Sequence, residues 1–144
     1  MPFDNPHQMP FGDLELLMEA RCRISRRDFW IQGHFQKDGR YCLVASLSLT
    51  CGTRSIGMPS RTEQRLSRLV AKQIPSDAPF WIRHRFMPAR RRLIAFNDDL
   101  RTHHEDVVAL FDRAIEHLAS SAPVCVAACS GDSAAVSPNA ECLV

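Results

Sequence analysis

The sequence predicts an all-α protein: a small bundle of three to four helices with an irregular basic segment and a disordered C-terminal tail. Three observations predict it. Ser60-Arg61-Thr62-Glu63 and Thr102-His103-His104-Glu105 both carry the Ser/Thr-x-x-Glu pattern that caps a helix start reciprocally. Each is followed by apolar residues at helical spacing. The 144 residues, 45% hydrophobic and 24% charged, suit one globular domain with its own core.

In chain order, Pro2, Pro6, Pro10 and Gly12 mark residues 1–12 as a flexible lead. Asp13 is a suitable N-cap for a helix over 13–25, whose stripe is Leu14, Leu17, Met18 and Cys22. Phe29-Trp30-Ile31 closes on Gly33 as a short apolar turn, and Lys37-Asp38-Gly39-Arg40 is a turn signal. Tyr41 to Thr50 is an apolar run that periodicity cannot assign to strand or buried helix. Gly52, just beyond it, favours a helix. The first capping box opens a helix with the stripe Leu66, Leu69, Val70 and Ile74, stopped by Pro75, with Arg61, Arg65, Arg68 and Lys72 on its other faces. Pro79 and Pro88 bracket an apolar and basic stretch too short to assign, so 75–96 is expected to be irregular. The second box opens a helix over 103–119, with Val107, Leu110, Phe111, Ala114, Ile115 and Leu118 as its stripe. From 120 onward Ala, Ser, Pro, Gly and Cys recur without period. The plan is a lead 1–12, one helical domain 13–119 and a loose tail 120–144.

The net charge of +2 conceals a polarised chain. Residues 54–92 carry +8 and residues 93–144 carry −6, with the remainder neutral. A basic middle against an acidic end is either an internally salt-bridged face or an anion-binding patch. No stretch of 18 apolar residues occurs, so no membrane span is expected. Met1 to Pro10 lacks the basic-then-apolar layout of a secretory signal. The six cysteines therefore read as the thiols of a cytoplasmic protein rather than a disulfide frame.

Several landmarks resemble a bacterial family of small uncharacterised proteins, domain-of-unknown-function family 6197. They are Leu16-Leu17, Trp30-Ile31-Gln32-Gly33, Tyr41-Cys42-Leu43 and Ile94-Ala95-Phe96-Asn97-Asp98, then Arg101-Thr102 and a helix with Val107, Leu110 and Ala114. The family usually has Trp-Asn-Asp where this chain has Phe96-Asn97-Asp98. The resemblance spans roughly 14–118 and implies no activity, because the family has none assigned.

Two sets of residues are candidates for function. The first is Arg83, Arg85, Arg90, Arg91 and Arg92 interleaved with Trp81 and Phe86, the composition of single-strand or phosphate binding. No helix-turn-helix, zinc finger or RNA motif surrounds it. It supports the leading expectation, a non-enzymatic cytosolic binding or accessory protein whose basic surface meets nucleic acid or an acidic protein, with homo-oligomerisation open. The second set would make a small hydrolase or transferase. Cys42, in the first turn of a helix 41–50, would be the nucleophile, activated by the dipole and free amides there. His103 or His104 would be the base, oriented by Asn97 or Asp98. Each has a plainer reading: Cys42 as a small buried hydrophobe, Asn97 and Asp98 as turn and cap residues, the histidines as surface residues. No metal site is expected, since adjacent histidines on a helix diverge and neither His-x-x-x-His nor Cys-x-x-Cys occurs. Cys125 and Cys129 share helical spacing without a histidine partner and read as incidental. No cofactor is expected.

Overall fold

In the computed structural model of the chain, residues 9–52 and 57–121 are described. They form α1 (Met9–Arg23), a two-stranded ribbon of β1 (Gln36–Lys37) and β2 (Arg40–Tyr41), then α2 (Leu43–Thr50), α3 (Arg61–Ala71), α4 (Phe80–Arg83), α5 (Ala89–Asp98) and α6 (His104–Ser121). A single 3-10 turn, Arg27–Phe29, follows α1. The helical architecture is as expected. The helices are more numerous than three or four, and a short ribbon joins them. The tail from residue 122, with Cys125 and Cys129, lies outside the described residues.

The centre is α2. All six residues Leu43 to Ser48 are buried, with α1, α3 and α5 packed around them. A helix enclosed on every side has no solvent face to impose a 3.6-residue alternation, which is why its sequence reads as an unpatterned apolar run. Its serines are satisfied: Ser46 Oγ donates to the Leu43 carbonyl at 2.7 Å and Ser48 Oγ to Glu63 Oε1 at 2.6 Å. Past the C-cap Cys51, Gly52 takes φ +81° and donates its N–H to the Leu49 carbonyl, the left-handed close that a side chain would resist.

Around α2 the core is built from Leu17, Ala20 and Ile24 on the α1 side, Leu66 and Val70 of α3, Ile82 of α4, Leu93 and Phe96 of α5, and Val107, Leu110, Phe111 and Ala114 of α6. Helix α1 packs on α2 and α6, and α3 on α5.

Several boundaries differ from expectation for physical reasons. Helix α1 starts at Met9 rather than Asp13, because a proline in the first turn loses no hydrogen bond. Asp13 is not a cap; it is 8% exposed and grips Arg65 through both oxygens at 2.8 and 2.7 Å. Asp38 and Gly39 take φ +52° and +74°, which makes the expected turn a two-residue hairpin, with Lys37 opposite Arg40 and Gln36 opposite Tyr41. The segment 75–96 is not irregular. Pro79 and Pro88 stand at the N-caps of α4 and α5, so the prolines start helices instead of bounding a loop. Ser60 caps α3 as expected, accepting from the Glu63 N–H at 3.1 Å. At α6 the cap is displaced by one residue: His103 precedes the helix and its N–H donates to Asp106 Oδ2 at 2.8 Å. Glu105 does not serve it.

Cys51 gives a pH test of this packing. Burial, then the neighbouring Glu63, pushes its thiol from the ordinary 9.0 up to about 11. The folded state therefore favours the protonated thiol. That contribution is complete below 9.0 and is lost as pH rises from there through about 11. The urea midpoint is expected to fall across this range, and to fall less in Cys51→Ala; parallel pH profiles for the two proteins would refute the assignment.

Candidate functional site

Asn97, the penultimate residue of α5, is fully buried. Its Oδ1 accepts from Trp30 Nε1 at 2.8 Å and from the Leu43 N–H at 3.1 Å. Its Nδ2 donates to the Ile31 carbonyl at 3.1 Å and to Asp98 Oδ1 at 2.8 Å. The amide thus makes all four bonds its chemistry allows. Asp98 Oδ1 also accepts from the Gly33 N–H at 2.8 Å, and Gly33 takes φ +73° to present it. Gln32 Nε2 lies 2.8, 3.0 and 3.2 Å from the carbonyls of Asn97, Asp99 and Thr102. Residues 30–33 are strapped across the start of α2, the end of α5 and the approach to α6.

This network decides where the proposed catalytic residues fall. Cys42 is not in the first turn of α2 but at its N-cap, where Sγ accepts from the Ala45 N–H at 3.3 Å. It is 6% exposed. Burial pushes its thiol up, and this outweighs the Ala45 and Val44 amides that pull it down. The helix-start amides that an oxyanion would need are in use: Leu43 N–H by Asn97, Ala45 N–H by Cys42 itself. His104 is buried, and its Nε2 donates to the Ile24 carbonyl at 2.6 Å, closing the chain just past the end of α1. Its ring meets that of Trp30 at 5.9 Å between centroids. His103 is exposed. The structure brings Asn97, Asp98 and the backbone beside Cys42 together, and it leaves His103 in solvent while His104 is buried against the Ile24 carbonyl.

The basic set divides in two. Arg92 is half-buried and spends its guanidinium on the Ile82 and Ala71 carbonyls at 3.0 and 3.4 Å. Arg90 donates Nη1 to the Gly57 carbonyl at 3.0 Å and lies 3.5 Å from Glu63. Arg83, Arg85 and Arg91 are exposed, with Arg83 Nε on the Ala78 carbonyl at 2.7 Å. Beside them Phe80, Trp81 and Phe86 are 70, 59 and 77% exposed. His84 stands between two of these rings, 5.3 Å from Phe80 and 5.4 Å from Phe86, and Arg85 covers Phe86 at 4.8 Å. Among the described residues no ion pair joins α6 to this surface, and Asp112 of α6 pairs with Arg21 of α1.

The sequence profile of a family of unknown function, DUF6197, matches residues 11–117. The chain belongs to DUF6197. No curated protein and no solved structure matches it. Trp30, Gln32, Gly33, Asn97 and Asp98 all lie within the matched span and are the partners in the buried network, so their role in this fold is architectural before anything else.

Besides a smaller cavity between the starts of α3 and α5, this DUF6197 chain holds one of about 290 Å³ between the loop before α4, the end of α5 and the face of α6. Ile82 and Phe96 line it with Asp77, Asp99, Arg101 and Arg113. Two of its cations are engaged, Arg101 holding the Asp99 carboxyl below the usual range and Arg113 Nη2 donating to the Gln73 carbonyl at 3.2 Å. Among the described residues no group of three or more His, Cys, Asp or Glu is placed to hold a metal ion. Neither cavity is lined by Cys42, Asn97, His103 or His104. Sequence reasoning missed Glu63, seen only as a capping-box residue. Its three- and seven-residue spacing to Leu66 and Val70 is the signal that it faces inward.

Asn97→Ala is expected to lower stability by about 3 kcal/mol or more, because it leaves the Leu43 and Trp30 donors and the Ile31 carbonyl unpaired in the interior. Asn97→Asp sets a carboxylate against Asp98 and the Ile31 carbonyl, so its loss is expected to shrink as pH falls and that carboxylate is protonated. Urea midpoints at neutral and acidic pH check both.

For the thiols, iodoacetamide is expected to modify exposed Cys22 roughly tenfold or more faster than Cys42 in the folded chain. Peptide mass mapping over time reads this. Preferential alkylation of Cys42 at neutral pH would revive the nucleophile.

Proposed function

We propose that this chain is a non-enzymatic cytoplasmic binding protein whose α4 surface engages single-stranded nucleic acid. The observation that carries the reading is the exposure of Phe80, Trp81 and Phe86 within seven residues that also hold Arg83, His84 and Arg85. Three large aromatic rings in water are unfavourable unless a partner covers them. Their faces offer stacking platforms to bases, and the interleaved arginines offer cations to the phosphates between them. Exposed Arg91 on α5 adds to the same positive region of the chain. The edge-on contact of His84 with Phe80, its tilted contact with Phe86 and the Arg85 guanidinium over Phe86 restrain these rings before a partner arrives, which lowers the ordering cost of binding.

The alternative of a cysteine hydrolase or transferase draws less support, because Cys42 is enclosed and its thiol is pushed up.

The test uses the tryptophans. The chain has two, and Trp30 is tied to Asn97, so emission changes on binding report Trp81. Titration with single-stranded oligothymidylate at low salt is expected to quench Trp81 emission with micromolar half-saturation, weakening steeply as salt rises. Trp81→Ala is expected to weaken binding about tenfold, the scale of one stacked base. Arg85→Ala is expected to lower both affinity and salt slope. No salt-sensitive binding at roughly micromolar protein would sink the proposal. Tighter binding of polyglutamate than of the oligonucleotide would reassign the surface to an acidic protein. Self-association in place of both would reassign it to a second copy.

A further inference from the structure

The cavity of about 290 Å³ has a buried apolar floor and a charged wall. Ile82 of α4 and Phe96 of α5 form the floor with Ala78, Pro79 and Ala109. Charges of both signs line the wall without meeting. Arg113 of α6 is half-buried and spends Nη2 on the Gln73 carbonyl, while its Nε and Nη1 make no hydrogen bond. Asp106, nearer the start of α6, has Oδ2 on the His103 N–H and keeps Oδ1. Asp77 is exposed in the loop before α4. Among the described residues no ion pair joins Arg113 to Asp77, Asp99 or Asp106, and Asp99 is held by Arg101.

Thr102 adds an uncommitted polar group. Its N–H donates to the Asp99 carbonyl at 2.9 Å and its own carbonyl lies 3.2 Å from Gln32 Nε2. The residue is 8% exposed and lines the cavity. Its hydroxyl has no partner among the described residues, yet it is not sealed. The partnerless side-chain atoms without accessible surface belong to Glu63, Ser67 and Arg90. An open hydroxyl offers one donor and two acceptor positions to whatever enters. Asp106, Ala109 and Arg113 share one face of α6. About two turns, roughly 10 Å, separate the outer two along the axis. Long helical side chains lean toward the N-terminus, which brings Arg113 back over the small Ala109 and narrows the gap to Asp106.

We infer that this cavity binds a small zwitterion, an amino acid with an apolar side chain. Its carboxylate meets Arg113, its ammonium meets Asp106 and the Thr102 hydroxyl with Asp77 at the mouth, and its side chain lies on Ile82 and Phe96. A simple anion would face three carboxylates, Asp77, Asp99 and Asp106, against one uncommitted cation. A simple cation would leave Arg113 unmet. A ligand that carries both charges answers both. The size agrees. A water takes about 30 Å³ of liquid, so the cavity admits about ten heavy atoms and not a nucleotide. The site does not depend on the α4 surface binding nucleic acid.

The test is an NMR titration of the full chain with free leucine, against isopentylamine, which lacks the carboxylate, and 4-methylpentanoate, which lacks the ammonium, at matched ionic strength. Leucine is expected to shift the Thr102 and Ala109 amides and the Arg113 Nε–H resonance saturably, with half-saturation on the order of 1 mM. Each single-charge analogue is expected to bind about tenfold or more weaker. Arg113→Gln is expected to abolish the preference for leucine over isopentylamine. Thr102→Val removes an unpartnered hydroxyl and keeps the shape. It is expected to fold normally by circular dichroism, to weaken leucine about fivefold and to leave 4-methylpentanoate unchanged. Should Arg113→Gln fail to fold, Thr102→Val still decides. Absence of saturation at roughly 50 times the expected half-saturation, an equal response to either analogue, or undiminished leucine binding in Thr102→Val would each overturn the site.

Discussion

The buried amide of Asn97 is the interaction on which the rest of the structure depends. It joins three pieces of chain that no sequence-local force would bring together: the extended segment at Trp30, the first amide of α2, and the end of α5. An apolar residue of the same size would leave donors and acceptors facing one another unpaired. A smaller polar residue could not supply two donors and two acceptors at once. With the hub in place, α2 begins with its first amide satisfied, and a helix start can be buried without the penalty that orphan N–H groups carry. Once α2 is buried there, α1, α3 and α5 have a common surface to close on.

The same requirement explains the chemistry at Cys42. A thiol at a helix start is the arrangement that elsewhere makes a reactive cysteine. Here the amides that would stabilise a thiolate are shared with Asn97, and the site is closed to water. Desolvation wins over the dipole, and the sulfur acts as a cap. His104 is drawn into the structure likewise, giving its Nε2 proton to the carbonyl just beyond α1. Residues with catalytic potential have been spent on closing backbone groups.

What was legible in the sequence follows from how local its cause is. The cap at Ser60, the left-handed Gly33 and Gly52, and the inward stripe of α6 depend on neighbours a few residues away, and each stands where its pattern put it. The starts of α4 and α5 were illegible because a proline is compatible with both a loop and a first turn; only packing of Ile82, Leu93 and Phe96 decides. The hairpin at Asp38-Gly39 was read as a turn without its strands, since two-residue strands carry no alternation to detect. At the candidate sites, Asn97 and Asp98 are legible as polar and their partners, 54 to 67 residues earlier, are not.

The charge map shows the same limit. Ten basic residues in 54–92 look like one patch in the sequence. In the fold they divide by what they touch. Arg65 holds Asp13, and Arg92 closes helix-end carbonyls and cannot meet a partner without giving them up. Arg90 is turned inward, Nη1 on the Gly57 carbonyl and Nε facing the buried Glu63 carboxylate at 3.5 Å. Arg61, Arg68 and Lys72 face solvent on α3, and Arg83, Arg85 and Arg91 act outward beside or near the exposed rings of Phe80, Trp81 and Phe86. The argument for binding therefore rests less on net charge than on apolar exposure. Charge alone is satisfied by water and salt at little cost. Exposed aromatic faces are not, and their position among the outward arginines makes α4 the place to look for a partner.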